Sequence, residues 1–200
     1  MDPQLQRRLI EEVANAVIRH ADELTALDQA IGDGDHGLNM KRGAVTILEQ
    51  LDQLAAKPLP EALRASGQAL VMKVGGASGP LYGTLLMALG KDLPPAPNRD
   101  DLVRAVGAAV EAVKRIGRSE VGQKTLLDVL APVHEELASD GPGLVDRVRR
   151  RSAAAAEATV PMKAIRGRAS FLGERSIGHM DPGARSASLM IAAACTVMEE

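Results

Sequence analysis

Apolar residues recur along the chain at intervals of three and four positions. In the first segment they are Leu5, Leu9, Ile10, Val13, Val17, Leu24 and Leu27. This spacing places side chains on one face of an α-helix, and no stretch shows the strict alternation typical of a half-buried strand. The pattern therefore predicts an all-α protein.

Glycine and proline divide this pattern into eight predicted helices. Their approximate bounds are residues 4–30, 38–54, 60–73, 80–90, 100–115, 124–139, 144–160 and 183–198. Local signals support several of the starts, including Thr125 with Asp128 as a capping box, and Asp181 followed by Pro182 before the last helix. Short connections between such helices favour an antiparallel up-and-down arrangement.

Composition narrows the class of protein. The chain has 200 residues, 46% of them hydrophobic, so we expect residues 1–200 to form a single domain. A net charge of -2 and 1% aromatic residues give no basis for binding nucleic acid or an anionic membrane. The start of the chain is charged where a signal peptide is apolar, and the lone Cys195 lies in an apolar run. We expect a soluble cytoplasmic protein with a buried core thiol.

The seven connections between the predicted helices differ in their chemistry. The second, fourth and sixth are proline-rich turns, AAKPLP, KDLPPAPNRD and SDGPG. The first, third, fifth and seventh contain GDGDHG, GGASGP, GRSEVGQ and RGRASFLGERSIGHMDPG, which carry Gly, Asp, Ser, His and Arg. Alternate connections of an up-and-down bundle lie at the same end. One end of the molecule is therefore the predicted functional end.

The acidic first connection favours a magnesium site. Its G-x-G-x-x-G spacing follows a predicted helix rather than a strand, so it is not a dinucleotide-binding loop. An EF-hand is excluded too, because the twelfth position counted from Asp33 is Ala44 rather than Glu. Three carboxylates remain, those of Asp28, Asp33 and Asp35, and such hard oxygen ligands suit Mg²⁺. A solvated acidic turn is the alternative.

The third and seventh connections offer groups that bind anions. Backbone N–H groups of residues 75–79 and the Ser78 hydroxyl precede a predicted helix, where its dipole favours an anion, although a plain flexible turn is equally compatible. The seventh connection carries cationic forks suited to phosphate on Arg166, Arg168 and Arg175. We expect its apolar side chains to pack rather than leave it disordered, namely Phe171, Leu172, Ile177 and Met180.

The lysine of the fifth connection and the histidines of the first and seventh connections are not expected to take part in chemistry. Lys124 is expected to be a solvated lysine beside the capping box, with contact to a phosphate or to a partner as the alternative. His36 and His179 are expected to be hydrogen-bonded structural histidines rather than bases. Together, the metal ligands, the glycine loop and the arginine loop are the components of a phosphoryl-transfer site, where positioning and charge neutralisation do most of the work.

Four stretches closely resemble DhaL, the family of nucleotide-binding L subunits of bacterial dihydroxyacetone kinase. They are LDQAIGDGDHGLNMKRG (27–43), KVGGASGPLYGT (73–84), GQKTLLDVLAPV (122–133) and GRASFLGERSIGHMDPGARS (167–186). The resemblance runs from about residue 5 to residue 198, and its first and last motifs are highly specific. It implies an eight-helix antiparallel barrel with a nucleotide bound at one end through two Mg²⁺ ions.

The resemblance also implies the site residues. The metal ligands would be Asp28, Asp33 and Asp35. The nucleotide contacts would be His36, Gly37, Leu38, Asn39, Ala77, Ser78, Gly117, Leu126, Arg168, Asp181, Pro182 and Gly183. Because aromatic residues are so scarce, adenine is expected to lie against aliphatic side chains such as Leu126 or Leu38.

The family includes free subunits and domains of longer ATP-dependent kinases, and this chain resembles the free form. Its ADP would be a tightly bound cofactor that receives a phosphoryl group from a phosphohistidine M subunit of the phosphoenolpyruvate-dependent phosphotransferase system. It would pass that group to dihydroxyacetone on a K subunit. Two alternatives stay open: an ATP-dependent kinase subunit for dihydroxyacetone or a related short sugar, and a non-catalytic nucleotide-loaded module that signals to a transcriptional regulator.

Overall fold

The computed structural model of the chain describes residues 1–199, and this part contains ten α-helices, one 3₁₀ segment and no strand. The all-α prediction is confirmed. The elements are α1 (Pro3–Arg19), α2 (Ala21–Ile31), α3 (His36–Glu49), α4 (Leu51–Ala55), α5 (Leu59–Lys73), α6 (Ser78–Asp92), α7 (Arg99–Gly117), α8 (Leu127–Ala138), α9 (Leu144–Glu157), the 3₁₀ segment (Arg168–Ser176) and α10 (Pro182–Glu199).

Two of the eight predicted helices are each broken in two. The first is interrupted at His20 (φ -103°, ψ 11°) and the second at Gln50 (φ -105°, ψ 9°), and neither break has a glycine or proline to mark it. The other six helices lie within a few residues of their predicted bounds. The 3₁₀ segment inside the seventh connection was not predicted from the pattern.

Side-chain caps fix several helix starts. Asp2 begins α1, because its Oδ1 accepts hydrogen bonds from Gln4 N at 2.9 Å and Leu5 N at 3.0 Å. Asp181 begins α10 in the same way, accepting from Ala184 N at 2.7 Å. Such caps satisfy backbone donors that a helix cannot pair internally. The predicted start of the last helix at Asp181 and Pro182 is therefore confirmed.

The helices contact one another in chain order, and the order closes on itself. Contacts run from α1 and α2 to α3, then through α5, α6, α7, α8 and α9 to α10, which contacts α1 again. The short α4 fills the space between α1 and α5. This closed circuit is the arrangement that an up-and-down barrel predicts.

The main core lies inside this circuit and uses small and aliphatic side chains. Leu24, Val113 and Leu127 are fully buried, and buried alanines of α9 and α10 belong to the same cluster. Cys195 is a free thiol within the same core, as predicted. Within residues 1–199 no helix combines the length and the apolar character needed to cross a membrane.

Candidate functional site

The three predicted metal ligands form one cluster where α2 meets α3. A carboxylate oxygen from each of Asp28, Asp33 and Asp35 lies within 4.8 Å of the other two. Asp28 is buried, whereas Asp33 and Asp35 are exposed. Asp28 Oδ2 also accepts hydrogen bonds from Asp35 N at 2.8 Å and His36 N at 3.0 Å, so it caps the start of α3. Its hydrogen bonds fix the buried member of the cluster.

Close backbone packing explains two of the glycines in this motif. A Cβ atom on Gly32 would lie 2.0 Å from Asp28 Oδ1, so any side chain there would displace the carboxylate. A Cβ atom on Gly37 would lie 2.0 Å from the Ala21 carbonyl oxygen, because α3 starts directly against α2. Both glycines therefore position the acidic cluster through packing.

The donor set of the cluster fits a hard divalent cation. Three carboxylates converge on one point with one of them already held rigid, and Mg²⁺ prefers a few such oxygens together with water and phosphate oxygens. A cationic group already lies at the cluster, since Arg168 Nε is 2.8 Å from Asp33 Oδ2. The cluster thus attracts positive charge from the solvent side.

A chain of polar side chains, buried except for the half-buried Ser78, lies next to the cluster and joins three helices. His36 Nδ1 is 3.0 Å from Ser78 Oγ, and His36 Nε2 is 2.9 Å from Ser186 Oγ. Ser186 Oγ is in turn 2.7 Å from the Tyr82 hydroxyl, which donates to the Gly183 carbonyl oxygen at 3.0 Å. Burial lowers the pKa of His36 and raises that of Tyr82. His36 is the hydrogen-bonded structural histidine that was expected, and it connects α3, α6 and α10.

Asp181 occupies a buried position at the start of α10. Burial raises the pKa of its carboxyl to about 7, and the nearby carboxylate of Asp128 adds to the increase. The next turn packs on the fifth connection, because a Cβ atom on Gly183 would lie 3.6 Å from Leu126 N. The start of α10 therefore lies between the fifth connection and the acidic cluster.

Lys124 is buried, and the prediction that it would be solvated was wrong. Only 1% of the residue is exposed, and its Nζ donates to the carbonyl oxygens of Val160, Met162 and Ser176 at 3.5, 3.0 and 2.6 Å. Burial lowers the pKa of Lys124, while the nearby Asp181 carboxylate opposes this change. The cause of its burial is the folding of the seventh connection over the fifth.

The seventh connection is ordered, but its packing differs from the prediction. Leu172 packs with Ile31, Ala164 and Ala169 in a small separate cluster, as expected. Phe171, expected to pack as well, is instead 87% exposed, because the 3₁₀ segment directs it outward.

The remaining predicted nucleotide contacts line the same end of the molecule. A Cβ atom on Gly75 would lie 3.1 Å from Asn39 Oδ1, so the third connection rests on the start of α3. Ala77 is the N-cap residue of α6, and Gly117 lies against Leu81 of that helix. Leu38 is 57% exposed, whereas Leu126 is buried. All four chemically rich connections meet here.

Sequence reasoning missed three residues of this site. Tyr82 and Ser186 were assigned no position in it, although they hold the hydroxyl chain together. Lys124 was considered only as a solvated lysine or as a contact to a phosphate or a partner, whereas it anchors the seventh connection. The available signals were weak: Tyr82 is the only tyrosine, and Ser186 is a polar residue on the otherwise apolar face of the last helix.

The chain is similar to known proteins over most of its length. A DAK2 domain matches residues 30–196, a range that includes Asp33 and Asp35 of the acidic cluster and the start of α10 but begins just after Asp28. The chain belongs to the DAK2 domain family. Among its relatives in this family is the "PEP-dependent dihydroxyacetone kinase 1, ADP-binding subunit DhaL" of Listeria innocua, 40% identical over 92% of this chain and 90% of that protein. The corresponding DhaL subunit of Escherichia coli K12 is 39% identical over 86% of this chain and 85% of its own length.

A solved structure shares the fold of this DAK2 domain. The dihydroxyacetone kinase of C. freundii, crystallised in complex with AMP-PNP and Mg²⁺, superimposes with a TM-score of 0.81 at 26% identity. The match covers 98% of this chain and 34% of that one. The fold described above is therefore shared with about one third of the C. freundii kinase chain.

Proposed function

We propose that the chain is the ADP-binding L subunit of a phosphoenolpyruvate-dependent dihydroxyacetone kinase, acting as a single domain in the cytoplasm. The observation that carries the proposal is the convergence of Asp28, Asp33 and Asp35 beside the starts of α3 and α6. Carboxylates hold metal ions while helix N-termini hold phosphate oxygens, and a nucleoside diphosphate with magnesium needs both. The DhaL relatives, named as ADP-binding subunits, support the same function.

Each group at this end of the molecule has a proposed function. The three aspartates hold magnesium, with two ions as the expected number. The nucleotide lies along the surrounding connections, contacting His36, Gly37, Leu38, Asn39, Ala77, Ser78, Gly117, Leu126, Arg168, Asp181, Pro182 and Gly183. Magnesium supplies charge neutralisation at the phosphate oxygens when it is bound.

The chain's own residues orient the phosphates and neutralise their charge. Ser78 and the backbone N–H groups at the start of α6 donate to phosphate oxygens, and Arg168 swings from Asp33 toward them. Arginine suits this work because its planar fork binds phosphate through two nitrogens. This set includes no group placed to activate a sugar hydroxyl, which agrees with acceptor activation by another subunit.

Two partner subunits complete the proposed reaction. A phosphohistidine M subunit would donate a phosphoryl group to bound ADP, and a K subunit would present dihydroxyacetone to the resulting ATP. The exposed Lys41 and Arg42, next to the site on α3, are candidates for the docking surface. Lys124 is excluded from that surface because it is buried.

Direct use of ATP is the second candidate. The C. freundii kinase, whose structure contains AMP-PNP and Mg²⁺, favours it because that protein shares this fold. In that case free ATP would support turnover of dihydroxyacetone, or of a related short sugar, without an M subunit.

Two measurements test the proposal. Native mass spectrometry of the purified protein is expected to show retained ADP and magnesium. Mixing the chain with its K and M partners is expected to release pyruvate from phosphoenolpyruvate in proportion to dihydroxyacetone consumed. Turnover with ATP alone identifies the ATP-dependent kinase. Retention of ADP with no turnover from either donor identifies a nucleotide-loaded module that signals to a transcriptional regulator.

A further inference from the structure

Lys124 has a backbone conformation and an environment that are unusual for a lysine. Its φ of 61° lies in the left-handed region, which side chains other than glycine adopt at an energetic cost. It is also the largest fully buried side chain among the described residues. A buried ammonium is costly unless its donors are satisfied. Three carbonyl oxygens satisfy them here.

The three carbonyls come from both ends of the seventh connection. Val160 and Met162 lie just after α9, and Ser176 lies at the end of the 3₁₀ segment. One side chain therefore bridges two stretches separated by more than ten residues. Two further hydrogen bonds close the same loop: Gly178 N donates to the Val160 carbonyl oxygen at 2.9 Å, and Ala164 N donates to Ser176 Oγ at 2.9 Å.

The segment closed in this way carries Arg168. The Arg168 and Asp33 side chains are 71% and 38% exposed. An ion pair this exposed contributes little to stability, because water screens both charges, so it does not by itself hold the nine-residue segment in place. The position of Arg168 is therefore set by the anchoring of its backbone, through the small Leu172 cluster on one side and Lys124 on the other.

We infer that Lys124 is a positioning residue for Arg168: by tying the two ends of the 158–181 connection together, it holds the guanidinium against the acidic cluster. Lys124 Nζ donates to carbonyl oxygens of the connection and not to the metal ligands, so it acts on the site through the connection. The expected effect of Lys124 on ligand binding rests on the proposed function. The expected effect of Lys124 on the order of the connection is independent of that function, because its hydrogen bonds form in the protein without ligand.

The test compares Lys124→Met with a matched control, Lys163→Met. Methionine keeps most of the side-chain length and removes the ammonium. Lys163 bridges the same connection from the surface, through Glu174 at 2.7 Å, with both side chains at least half exposed. Hydrogen exchange of residues 164–178, measured without ligand, is expected to quicken about tenfold or more in Lys124→Met, while Lys163→Met stays within about twofold of the unaltered protein.

Binding of Mg-ADP supplies the readout that a purely structural lysine would not change. Lys124→Met is expected to weaken binding of Mg-ADP about tenfold. In protein that already carries Arg168→Ala, the same substitution is expected to weaken binding less than about twofold, because Lys124 affects binding only through Arg168. Additive losses, or exchange rates in Lys124→Met equal to those of the control, overturn the inference. If Lys124→Met does not fold, Ser176→Ala tests the closure itself. It keeps the carbonyl oxygen that accepts from Lys124 but removes the hydrogen bond from Ala164 N that joins the same two stretches. It must quicken exchange and ADP release relative to Lys163→Met if closure of the connection positions Arg168.

The outcomes separate this inference from the proposed function. If the unaltered protein does not bind Mg-ADP, the proposed function fails, while the exchange measurement still tests the anchoring. If it binds Mg-ADP and Lys124→Met binds equally well, the function stands and the positioning inference is wrong.

Discussion

Arg168 lies against Asp33, with its Nε 2.8 Å from the carboxylate Oδ2, so the protein places a cation at its own acidic cluster. Two ligands of opposite charge should respond in opposite ways to the loss of this arginine. A metal ion competes with the guanidinium for the carboxylate, whereas a phosphate gains from it.

Arg168→Ala is therefore expected to change two affinities in opposite directions. Binding of Mg²⁺ alone should strengthen by about threefold, because one competing charge is gone. Binding of Mg-ADP should weaken by about tenfold, because a cationic phosphate donor is lost. Isothermal titration calorimetry measures both affinities. Arg175→Ala, an exposed arginine on the same 3₁₀ segment, is the control, and equal effects from both variants would contradict a specific function for Arg168.

Asp33→Ala is expected to abolish retention of ADP while leaving the helical circular-dichroism signal intact. Removing one carboxylate from a cluster of three relieves repulsion in the protein without ligand, so folding should not suffer. Thermal melts with and without Mg-ADP measure the effect, since a bound ligand raises the melting temperature. Asp52→Ala, which removes an exposed carboxylate paired with Arg7, is the control. An Asp33→Ala protein that unfolds would show that the cluster is structural.

The buried Asp181 is expected to make stability fall as pH rises. Its folded pKa of about 7 exceeds the ordinary value of 3.8, so the folded protein binds more protons than the unfolded chain between these pH values. The free energy of unfolding therefore decreases from about pH 4 upward and levels off above pH 7, by a few kcal/mol at most.

Asp181→Asn should flatten this decline, because asparagine keeps the accepting oxygen of the cap and cannot ionise. Urea unfolding of ligand-free protein at a series of pH values measures the free energy of unfolding as a function of pH. Asp2→Asn replaces the capping carboxylate at the exposed start of α1 and controls for the loss of a cap. A profile for Asp181→Asn with the same slope as that of the unaltered protein would refute the assignment.

Tyr82→Phe is expected to destabilise the protein by about 1 to 2 kcal/mol. The hydroxyl donates to the Gly183 carbonyl oxygen and contacts Ser186 Oγ, so its removal takes one hydrogen-bond partner from each of these groups. Ser186 Oγ keeps its contacts with His36 Nε2 and the Gly183 carbonyl oxygen, which limits the loss. Chemical denaturation gives the magnitude. Ser188→Ala is the comparison, because it removes another buried hydroxyl of α10, one whose contact with Ser152 Oγ is 3.5 Å long. It should lower the free energy of unfolding by less than Tyr82→Phe does. A larger loss in Ser188→Ala would show that the hydroxyl chain is not a principal support of α10.

The helices and the end of the molecule that carries the site were predictable from short-range patterns. Apolar spacing locates a helix because one face must be buried, and the alternation of plain and chemically rich connections follows from the direction of successive helices. The acidic cluster was also predictable, because its members are close in sequence. Asp35 N donates to Asp28 Oδ2 across only seven residues.

The features that were not predicted depend on contacts between residues that are far apart in the sequence. The break at His20 has no glycine or proline to mark it. Lys124 looks like a solvated lysine until the carbonyls of residues 160 to 176 surround it. The exposure of Phe171 likewise follows from the turn that the 3₁₀ segment takes over α2. Local sequence patterns predict each helix. They do not predict whether a polar side chain is buried, because that depends on which distant residues pack against it.

The bond between His36 and Ser186 spans 150 residues, and it has a consequence for biosynthesis. A ribosome that has released everything up to α9 has delivered all three aspartates, yet the helix that supports His36 from behind has still to emerge. The support behind His36 is complete only when α10 packs against α3, so a nascent chain is not expected to bind the proposed nucleotide before that. Under the proposed function, nucleotide loading is therefore expected only after translation has passed α10.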